Sequence, residues 1–217
     1  MTKDSKPYYQ QYQPGIAVQQ MQPEHAERLE ALQRIVFPAL AEDELIKSVH
    51  YLRHLQIFPE GQFVITDGNE VIGMTSTMRS AFNDNHHTFK ETIAGGWLTN
   101  HNPCGDWLYG LDLGIHPNYR GKGLARSLYK ARHMLVQSLQ LKGQFTVGMM
   151  NGYGVVAETI SAQQYFEELK LGNRTDPTLT PQMKIGFEPI CLIPNYLNDP
   201  TCGGYGVLIK MDIDKKM

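Results

Sequence analysis

Residues 105–140 read GDWLYGLDLGIHPNYRGKGLARSLYKARHMLVQSLQ, and the spacing of the apolar residues changes once within this stretch. From Trp107 to Ile115 every second residue is apolar, which is the period of a pleated strand. Pro117 ends the strand, because proline has no N–H to donate to a neighbouring strand. From Leu124 onward apolar residues recur at helical spacing, which predicts a helix of about five turns. The stretch therefore predicts a strand, a turn and a helix in succession.

The turn between the strand and the helix reads RGKGLAR over residues 120–126. The first turn of a helix has free backbone N–H groups and partial positive charge from the helix dipole. Two glycines allow a phosphate to approach that backbone closely, and the cationic side chains add charge. The sequence therefore predicts a pyrophosphate site. It lacks the third glycine of the Rossmann pattern G-x-G-x-x-G and the Walker pattern G-x-x-x-x-G-K-S/T, but it contains R-x-x-G-x-A.

This pattern resembles the signature Q/R-x-x-G-x-G/A of the GNAT superfamily of acyl-CoA-dependent N-acyltransferases. The run LGIHPNYRGKGLA over residues 113–125 is also similar to the family's strand, proline and loop in the same order. The resemblance implies that the loop amides hold the pyrophosphate of coenzyme A, that the strand backbone pairs with the pantetheine arm, and that acetyl-CoA is the co-substrate. We expect no metal, because the adjacent His86 and His87 would face opposite ways on a strand and the sequence has no H-E-x-x-H. The residues that it assigns to the cofactor are Leu113, Gly114, Ile115, Arg120, Gly121, Lys122, Gly123, Leu124, Ala125, Arg126 and Asn151.

Three further runs resemble the GNAT modules that are fused to nitrilase-type carbon–nitrogen hydrolases. They are NHNPCGDWLYG at residues 100–110, GY at residues 152–153 and GFEPICLIPNYL at residues 186–197. A nitrilase domain would need roughly 250 further residues. We therefore expect the 217 residues to hold the GNAT-like domain alone, over residues 15–217, after a flexible arm at residues 1–14.

The resemblance and the apolar patterns together imply an α/β (α+β) fold. We expect a single GNAT-like domain with a mixed, mostly antiparallel sheet of about seven strands, flanked by helices. Two inserts, residues 79–103 and 152–180, interrupt it, and we expect the first to form a lid that faces the substrate. The helices predicted besides the one after the turn begin near residues 23, 43, 161 and 181, and the second of these has one apolar face formed by Leu45, Val49, Leu52 and Leu55.

Composition limits the partners and the compartment. The net charge is −2, which argues against broad nucleic-acid binding because such proteins usually carry a basic surface. No apolar run approaches the roughly 18 residues of a membrane span, and the N-terminus lacks the apolar segment of a signal peptide. The three cysteines form no C-x-x-C pair, which indicates free thiols in a reducing cytoplasm. We expect a cytoplasmic protein with no nucleic-acid or membrane partner; whether it forms a homodimer stays open.

Acyl transfer to an amine needs a group that takes the amine's proton. In the GNAT family this is often a carboxylate or histidine on the central strand, at the position that is Tyr109 here, and a phenol is a poor base near neutral pH. Asp112 lies nearby, but strand alternation sends it to the face opposite Leu111 unless a β-bulge turns it inward. Glu158 in the second insert is the third candidate base.

The departing thiolate is a second point at which a proton is needed. The family's usual donor is the tyrosine of Y-x-x-x-G-F, and counting back from Gly186 that position is Gln182. An amide donates hydrogen bonds but does not act as an acid. Either Tyr165 or Tyr153 from the second insert serves instead, or the thiolate leaves unassisted.

The resemblance thus favours an N-acyltransferase that moves an acetyl group from acetyl-CoA to a small-molecule amine or an amino terminus, by direct attack in a ternary complex. The alternative is an acyl-CoA-binding regulatory or sensor module without efficient catalysis, which Gln182 and the lack of an obvious base keep open. A nucleotide-binding protein is disfavoured, because the Walker lysine and Mg²⁺ ligands are missing.

Overall fold

The computed structural model describes residues 8–215, and one sheet dominates it. The strands are β1 Tyr9–Gln13, β2 Ile16–Gln20, β3 Phe63–Asp67, β4 Glu70–Ser80, β5 Trp107–Ile115, β6 Gly143–Met149, β7 Glu188–Ile193 and β8 Gly206–Asp212. Their order across the sheet is β1-β2-β3-β4-β5-β6-β8-β7. Only β5 and β6 pair in parallel among these strands. The predicted mixed, mostly antiparallel sheet is confirmed, with eight strands where about seven were expected.

The additional strand lies where the sequence predicted a flexible arm over residues 1–14. Tyr9–Gln13 pairs antiparallel with β2, and Gly15 supplies the left-handed backbone of the connecting turn at φ 83°. The strand is at the edge of the sheet and is mostly exposed, so its composition is polar and shows no apolar alternation. The first seven residues of the predicted arm lie outside the described residues.

Within residues 8–215 six α-helices flank the sheet: α1 Ala26–Val36, α2 Ser48–Ile57, α3 Phe89–Thr92, α4 Leu124–Ser138, α5 Ala162–Lys170 and α6 Leu179–Lys184. The helix predicted after the glycine turn is α4, with 15 residues. Its apolar stripe, including Leu124, Leu128 and Ala131, packs on side chains of β2 to β5. On the other face of the sheet, α1 and α2 cover β4 and β5. None of these helices has the length and apolar character that a membrane crossing requires.

The apolar face predicted for α2 is wrong. Val49 and Leu52 are 52% and 40% exposed, whereas Tyr51 and His54 are buried. The helix begins at Ser48 rather than residue 43, and both buried side chains find polar partners inside the protein. His54 Nε2 lies 2.7 Å from the carbonyl oxygen of Gly96, and the Tyr51 hydroxyl hydrogen-bonds to Asp112. These partners come from distant parts of the chain, so helical spacing does not reveal them.

The two inserts carry α3 and α5. Ser161 caps α5 as predicted, because its Oγ accepts a hydrogen bond from the backbone N–H of Gln164 at 3.1 Å. The helix α6 begins at Leu179, two residues before the predicted start, and β7 and β8 close the sheet as the expected antiparallel pair.

Two irregularities in β5 shape the centre of the fold. The strand pairs with β6 only over Leu108–Gly110, and beyond Gly110 the two strands diverge. On its other edge, Ser76 pairs with Asp112 and Thr77 pairs with Gly110, so Leu111 is the extra residue of a β-bulge. The divergence opens a gap in the sheet, and the bulge changes which side chains face it.

Candidate functional site

The gap between β5 and β6 continues into a cavity of about 760 Å³. It extends from the N-terminus of α4, past the bulge in β5, to the connection between α1 and α2. Beyond Gly110 the edge of β5 that faces β6 has no strand partner, so its backbone polar groups are available to a ligand. The cavity is therefore open to an extended molecule that pairs with β5.

One end of the cavity is the glycine loop before α4. Gly121 and Gly123 have φ values of 75° and 78°, a left-handed conformation that other residues rarely adopt. A Cβ atom at Gly121 would meet nothing within 4 Å, so the loop backbone is open above that residue. Arg120 Nε donates to the carbonyl oxygen of Ile115 at 3.1 Å, and the Tyr119 hydroxyl donates to Asp67 at 2.9 Å. These bonds fix the loop against the ends of β5 and β3.

Most residues that the sequence assigned to the cofactor line this cavity. They are Leu113, Gly114, Ile115, Arg120, Gly121, Gly123, Leu124, Ala125 and Asn151. Lys122 and Arg126 are exposed and lie outside the lining. Lys122 instead places its ammonium group 5.0 Å from the ring centroid of Tyr119, so its charge lies beside the loop.

Asp112 reaches the cavity because of the β-bulge. Trp107, Tyr109 and Leu111 belong to the core on the side of the sheet that α1 and α2 cover, whereas Ile115 packs on the α4 side, so the faces exchange between them. Asp112 consequently points toward α1 and α2, against the simple alternation of the strand. Asp112 is 8% exposed and lines the cavity.

The Asp112 carboxylate is held by three donors. It accepts hydrogen bonds from the backbone N–H of Ser76 at 2.6 Å, the Gln33 amide at 2.8 Å and the Tyr51 hydroxyl at 3.1 Å. Burial raises the pKa of Asp112 above its usual value of 3.8, and the hydrogen bonds and Arg132 oppose that rise. Asp112 is thus a fixed carboxylate that is more basic than an exposed aspartate.

Arg132 is a residue whose role the sequence did not suggest. It belongs to α4, is 2% exposed, and donates from Nη2 to Thr75 Oγ1 and to the carbonyl oxygen of Asp112. The guanidinium packs directly on the Cα of Gly110, where any side chain would collide with it. Burial lowers its pKa. Within residues 8–215 its Nε has no hydrogen-bond partner.

Tyr129 and Gln182 line the cavity together between the glycine loop and Arg132. Gln182 Nε2 donates to the Tyr129 hydroxyl at 2.7 Å, and the Gln182 Oε1 has no partner among the described residues. The guanidinium carbon of Arg132 lies 5.3 Å from the Tyr129 ring centroid. Burial raises the pKa of Tyr129. A single tyrosine within a helix carries no sequence signal that separates it from core packing.

The other three predicted catalytic residues do not reach the cavity. Tyr109 is buried beneath it and pairs with the Tyr196 hydroxyl at 3.1 Å, and burial raises the pKa of Tyr109 to about 12. Glu158 is exposed on the second insert. The Tyr165 hydroxyl donates to Asp176 at 2.9 Å inside that insert, and burial raises its pKa. Of the four candidates, the structure brings only Asp112 into the cavity wall.

The far end of the cavity is mostly apolar. Phe37 and Leu40 follow α1, Phe89 comes from the first insert, and Leu197 comes from the connection between β7 and β8. Asp199 adds a carboxylate, whose Oδ1 accepts from the backbone N–H of Thr201 at 2.7 Å. Phe89 is the only lining residue from the first insert in the described chain.

Residues 8–215 hold no group of three or more His, Cys, Asp or Glu that could bind a metal.

Sequence comparison places the chain among acetyltransferases. Residues 27–137 match the Acetyltransferase (GNAT) family. The chain is 32% identical over 187 residues to the Bacillus subtilis (strain 168) protein "Uncharacterized N-acetyltransferase YkwB", covering 85% of this chain and 83% of that protein. It is 33% identical over 192 residues to "Probable hydrolase YhcX" of the same organism, covering 88% of this chain. This chain spans 37% of the length of YhcX.

A solved structure agrees in fold. The GphF GNAT-like decarboxylase in complex with isobutyryl-CoA superposes with a TM-score of 0.74 at 20% sequence identity, covering 90% of this chain and 98% of that one. At this identity the likeness concerns the fold alone.

Proposed function

Because the chain belongs to the Acetyltransferase (GNAT) family, we propose that it transfers the acetyl group of acetyl-CoA to an amine by direct attack in a ternary complex. The acceptor is a small-molecule amine or an amino terminus. One observation carries the proposal: a single cavity joins the glycine loop at α4 to the buried Asp112 carboxylate and continues to the mostly apolar far end. Both substrates can therefore meet beside Asp112.

The loop end of the cavity suits the pyrophosphate of coenzyme A. The open backbone above Gly121 leaves room for a phosphate, and the amides at the start of α4 provide donors together with the dipole of a 15-residue helix. The unpaired edge of β5 from Leu111 to Ile115 offers hydrogen-bonding groups to the amides of the pantetheine arm. The thioester is then located near the bulge and Asp112.

In the reaction, the amine nitrogen bonds to the thioester carbonyl carbon and the C–S bond breaks. Asp112 takes the proton that the amine loses, directly or through one water. A carboxylate whose pKa is raised by burial is a better base than an exposed one, and the donors on Asp112 hold it in position. Backbone N–H groups of β5 at residues 113–115 are the candidates to stabilise the negative charge on the carbonyl oxygen.

Two observations favour an amine as the acceptor. The relative YkwB is called an N-acetyltransferase, which favours an amine nitrogen as the nucleophile. Asp112 and Asp199 line the cavity and supply negative charge to it. This charge would attract the ammonium form of the acceptor amine before the amine loses its proton. A cytoplasmic location is also proposed, and the free thiols of Cys104, Cys191 and Cys202 suit a reducing compartment.

Turnover separates this proposal from the sensor alternative. Acetyl-CoA is titrated into the protein calorimetrically, and a mixed pool of small amines and short peptides is then added while free coenzyme A is assayed. Binding followed by amine-dependent release of coenzyme A is the expected result. Binding with no release from any member of the pool would favour a sensor, and no binding would refute both.

A further inference from the structure

We propose that Tyr129 donates the proton to the thiolate of coenzyme A as it departs, in place of the tyrosine that the GNAT signature has at the position of Gln182. The inference rests on the acyl transfer proposed above. Gln182 occupies the usual position of the acid and hydrogen-bonds to the Tyr129 hydroxyl at 2.7 Å, so a phenol is present one hydrogen bond away from that position. Both side chains line the cavity.

The direction of this hydrogen bond favours a donor role for Tyr129. The Gln182 Nε2 group can only donate, so the phenol oxygen accepts and its own hydrogen is not used in this contact. Among residues 8–215 the Tyr129 hydroxyl donates to no protein acceptor. Because the side chain lines the cavity, the hydrogen is available to a ligand atom there. Gln182 is then a positioning residue that orients the phenol.

The surroundings of Tyr129 keep its ring in place, and Arg132 opposes the rise in the pKa of Tyr129 that burial causes. The ring packs edge-on against Phe187 with centroids 5.3 Å apart. On another side the guanidinium carbon of Arg132 lies 5.3 Å from the ring centroid. A positive charge at this distance stabilises a phenolate more than it stabilises a neutral phenol. Arg132 is buried, so bulk water does not screen its charge fully.

The location of Tyr129 along the cavity agrees with the path of the thioester. Tyr129 is five residues after Leu124, which begins α4 beside the glycine loop, and three residues before Arg132, which contacts the carbonyl oxygen of Asp112. A chain that runs from the loop to the bulge therefore passes Tyr129 before it reaches Asp112. The sulfur atom precedes the acetyl group on this path.

The proton balance is complete without a further reactant. As the C–S bond breaks, the sulfur takes its electron pair and receives the proton of the Tyr129 hydroxyl. The phenolate that remains is reprotonated by solvent as the products leave. An acceptor that arrives as an ammonium gives its extra proton to solvent and attacks as the neutral amine. The proton that this amine loses on forming the amide goes to Asp112 and from there to solvent, so each turnover releases coenzyme A as a thiol and regenerates both side chains.

The test measures the pKa of the thiol of bound coenzyme A, and it needs no acceptor amine. A hydroxyl that donates to a thiolate stabilises the charged form and lowers the thiol pKa. The thiolate is followed by its ultraviolet absorbance as the complex with coenzyme A is titrated with base. The complex with desulfo-coenzyme A, which lacks the sulfur, is subtracted to remove the absorbance of ionising tyrosines.

We expect the thiol pKa in the wild-type complex to be lower than in Tyr129→Phe by about one to two units, as for a hydrogen bond to a charged group. Tyr165→Phe removes a buried phenol hydroxyl that lies outside the cavity, and it should give the wild-type value. An unchanged thiol pKa in Tyr129→Phe, or a shift in Tyr165→Phe instead, would overturn the assignment.

If Tyr129→Phe no longer binds coenzyme A, a second variant tests the proposal. Incorporating 3-fluorotyrosine at position 129 keeps the size of the ring and makes the phenol more acidic, so it should lower the thiol pKa below the wild-type value. A rise or no change would contradict the proposal. If the wild-type protein itself fails to bind coenzyme A, the proposed function is wrong, and that result is separate from the comparison between variants.

Discussion

The hydroxyl of Tyr12 donates a hydrogen bond to the backbone carbonyl of Lys122 at 2.7 Å. This contact joins the edge strand β1 to the middle of the glycine loop, across 110 positions of the sequence. A Cβ atom at the adjacent Gly123 would lie 2.9 Å from the same hydroxyl, so the phenol rests directly against the loop. The N-terminal strand therefore supports the loop that is proposed to hold the pyrophosphate.

Removing this support should weaken acetyl-CoA binding. Tyr12→Phe deletes one partly exposed hydrogen bond, and a loss of about 0.5–1 kcal/mol corresponds to a dissociation constant roughly two- to fivefold higher. The rate at saturating acetyl-CoA should not change, because Tyr12 contacts no reacting atom. Tyr9→Phe is the matched control, since Tyr9 is on the same strand and 64% exposed. Equal affinities for both variants and the wild type, by calorimetry, would count against a supporting role.

Asp112→Asn should lower kcat by roughly 10²–10⁴, the usual contribution of a general base. Asp112 must be ionised to accept a proton, so the wild-type rate should rise with pH through its raised pKa and then level off. The asparagine variant should lack this rise. Asp106→Asn is the control, because Asp106 is near the start of the same strand but forms an exposed ion pair with Lys142 at 2.6 Å.

The alternative for Asp112 is a purely structural carboxylate. Its three donors predict that Asp112→Asn also lowers the free energy of unfolding by about 1–3 kcal/mol. Denaturant unfolding measures this loss separately from turnover. A variant that loses stability but keeps the wild-type kcat and pH profile would show that Asp112 only holds β5, α1 and α2 together.

Gly110→Ala should destabilise the protein, because the added Cβ would overlap the guanidinium of Arg132. Arg132 cannot move freely, since it is held by Thr75 and by the carbonyl oxygen of Asp112. Overpacking of this kind typically costs about 1–3 kcal/mol. The midpoint of urea unfolding should fall with an unchanged denaturant slope. A wild-type midpoint would mean that the arginine is not fixed against the strand.

His54 should make the fold sensitive to acid. Burial lowers its pKa from 6.5 to about 4, so the unfolded chain takes up a proton at a higher pH than the folded protein does. Stability from this residue is present above pH 6.5 and is lost as the pH falls toward 4, by up to about 3 kcal/mol. Urea unfolding at several pH values should give a flatter dependence for His54→Gln over this range. An identical slope for both proteins would contradict the buried neutral histidine.

The glycine loop could be predicted from sequence because its constraint is local. Residues 107–139 contain in succession a strand, a proline, two glycines and a helical stripe of apolar residues. The residues of each of these elements indicate its backbone conformation without reference to the rest of the chain. Nine of the eleven residues assigned to the cofactor lie in the cavity wall. Lys122 and Arg126 are not in the cavity wall, because their side chains are exposed to solvent. The sequence alone does not give the direction of these side chains.

The catalytic part of the site could not be predicted in the same way. One extra residue at Leu111 exchanges the faces of β5, so the position of Asp112 depends on a bulge that alternation cannot reveal. Tyr129 is far from its partner Gln182 in the sequence, and Arg132 is far from its partner Gly110. Only the packed fold brings each of these pairs together. Tyr165 and Glu158 were reasonable by residue type, but the second insert directs them away from the cavity.

Calorimetric titration of acetyl-CoA into the wild type, Gly123→Glu and Gly68→Glu tests directly whether the glycine loop before α4 binds the cofactor. Gly123 and Gly68 both have left-handed backbone, at φ 78° and 55°, but Gly68 lies in the turn between β3 and β4, away from the cavity. We expect binding to the wild type and to Gly68→Glu, and loss of binding in Gly123→Glu, where bulk and negative charge enter the loop. Equal binding by a folded Gly123→Glu, or no binding by the wild type, would show that the loop does not hold acetyl-CoA.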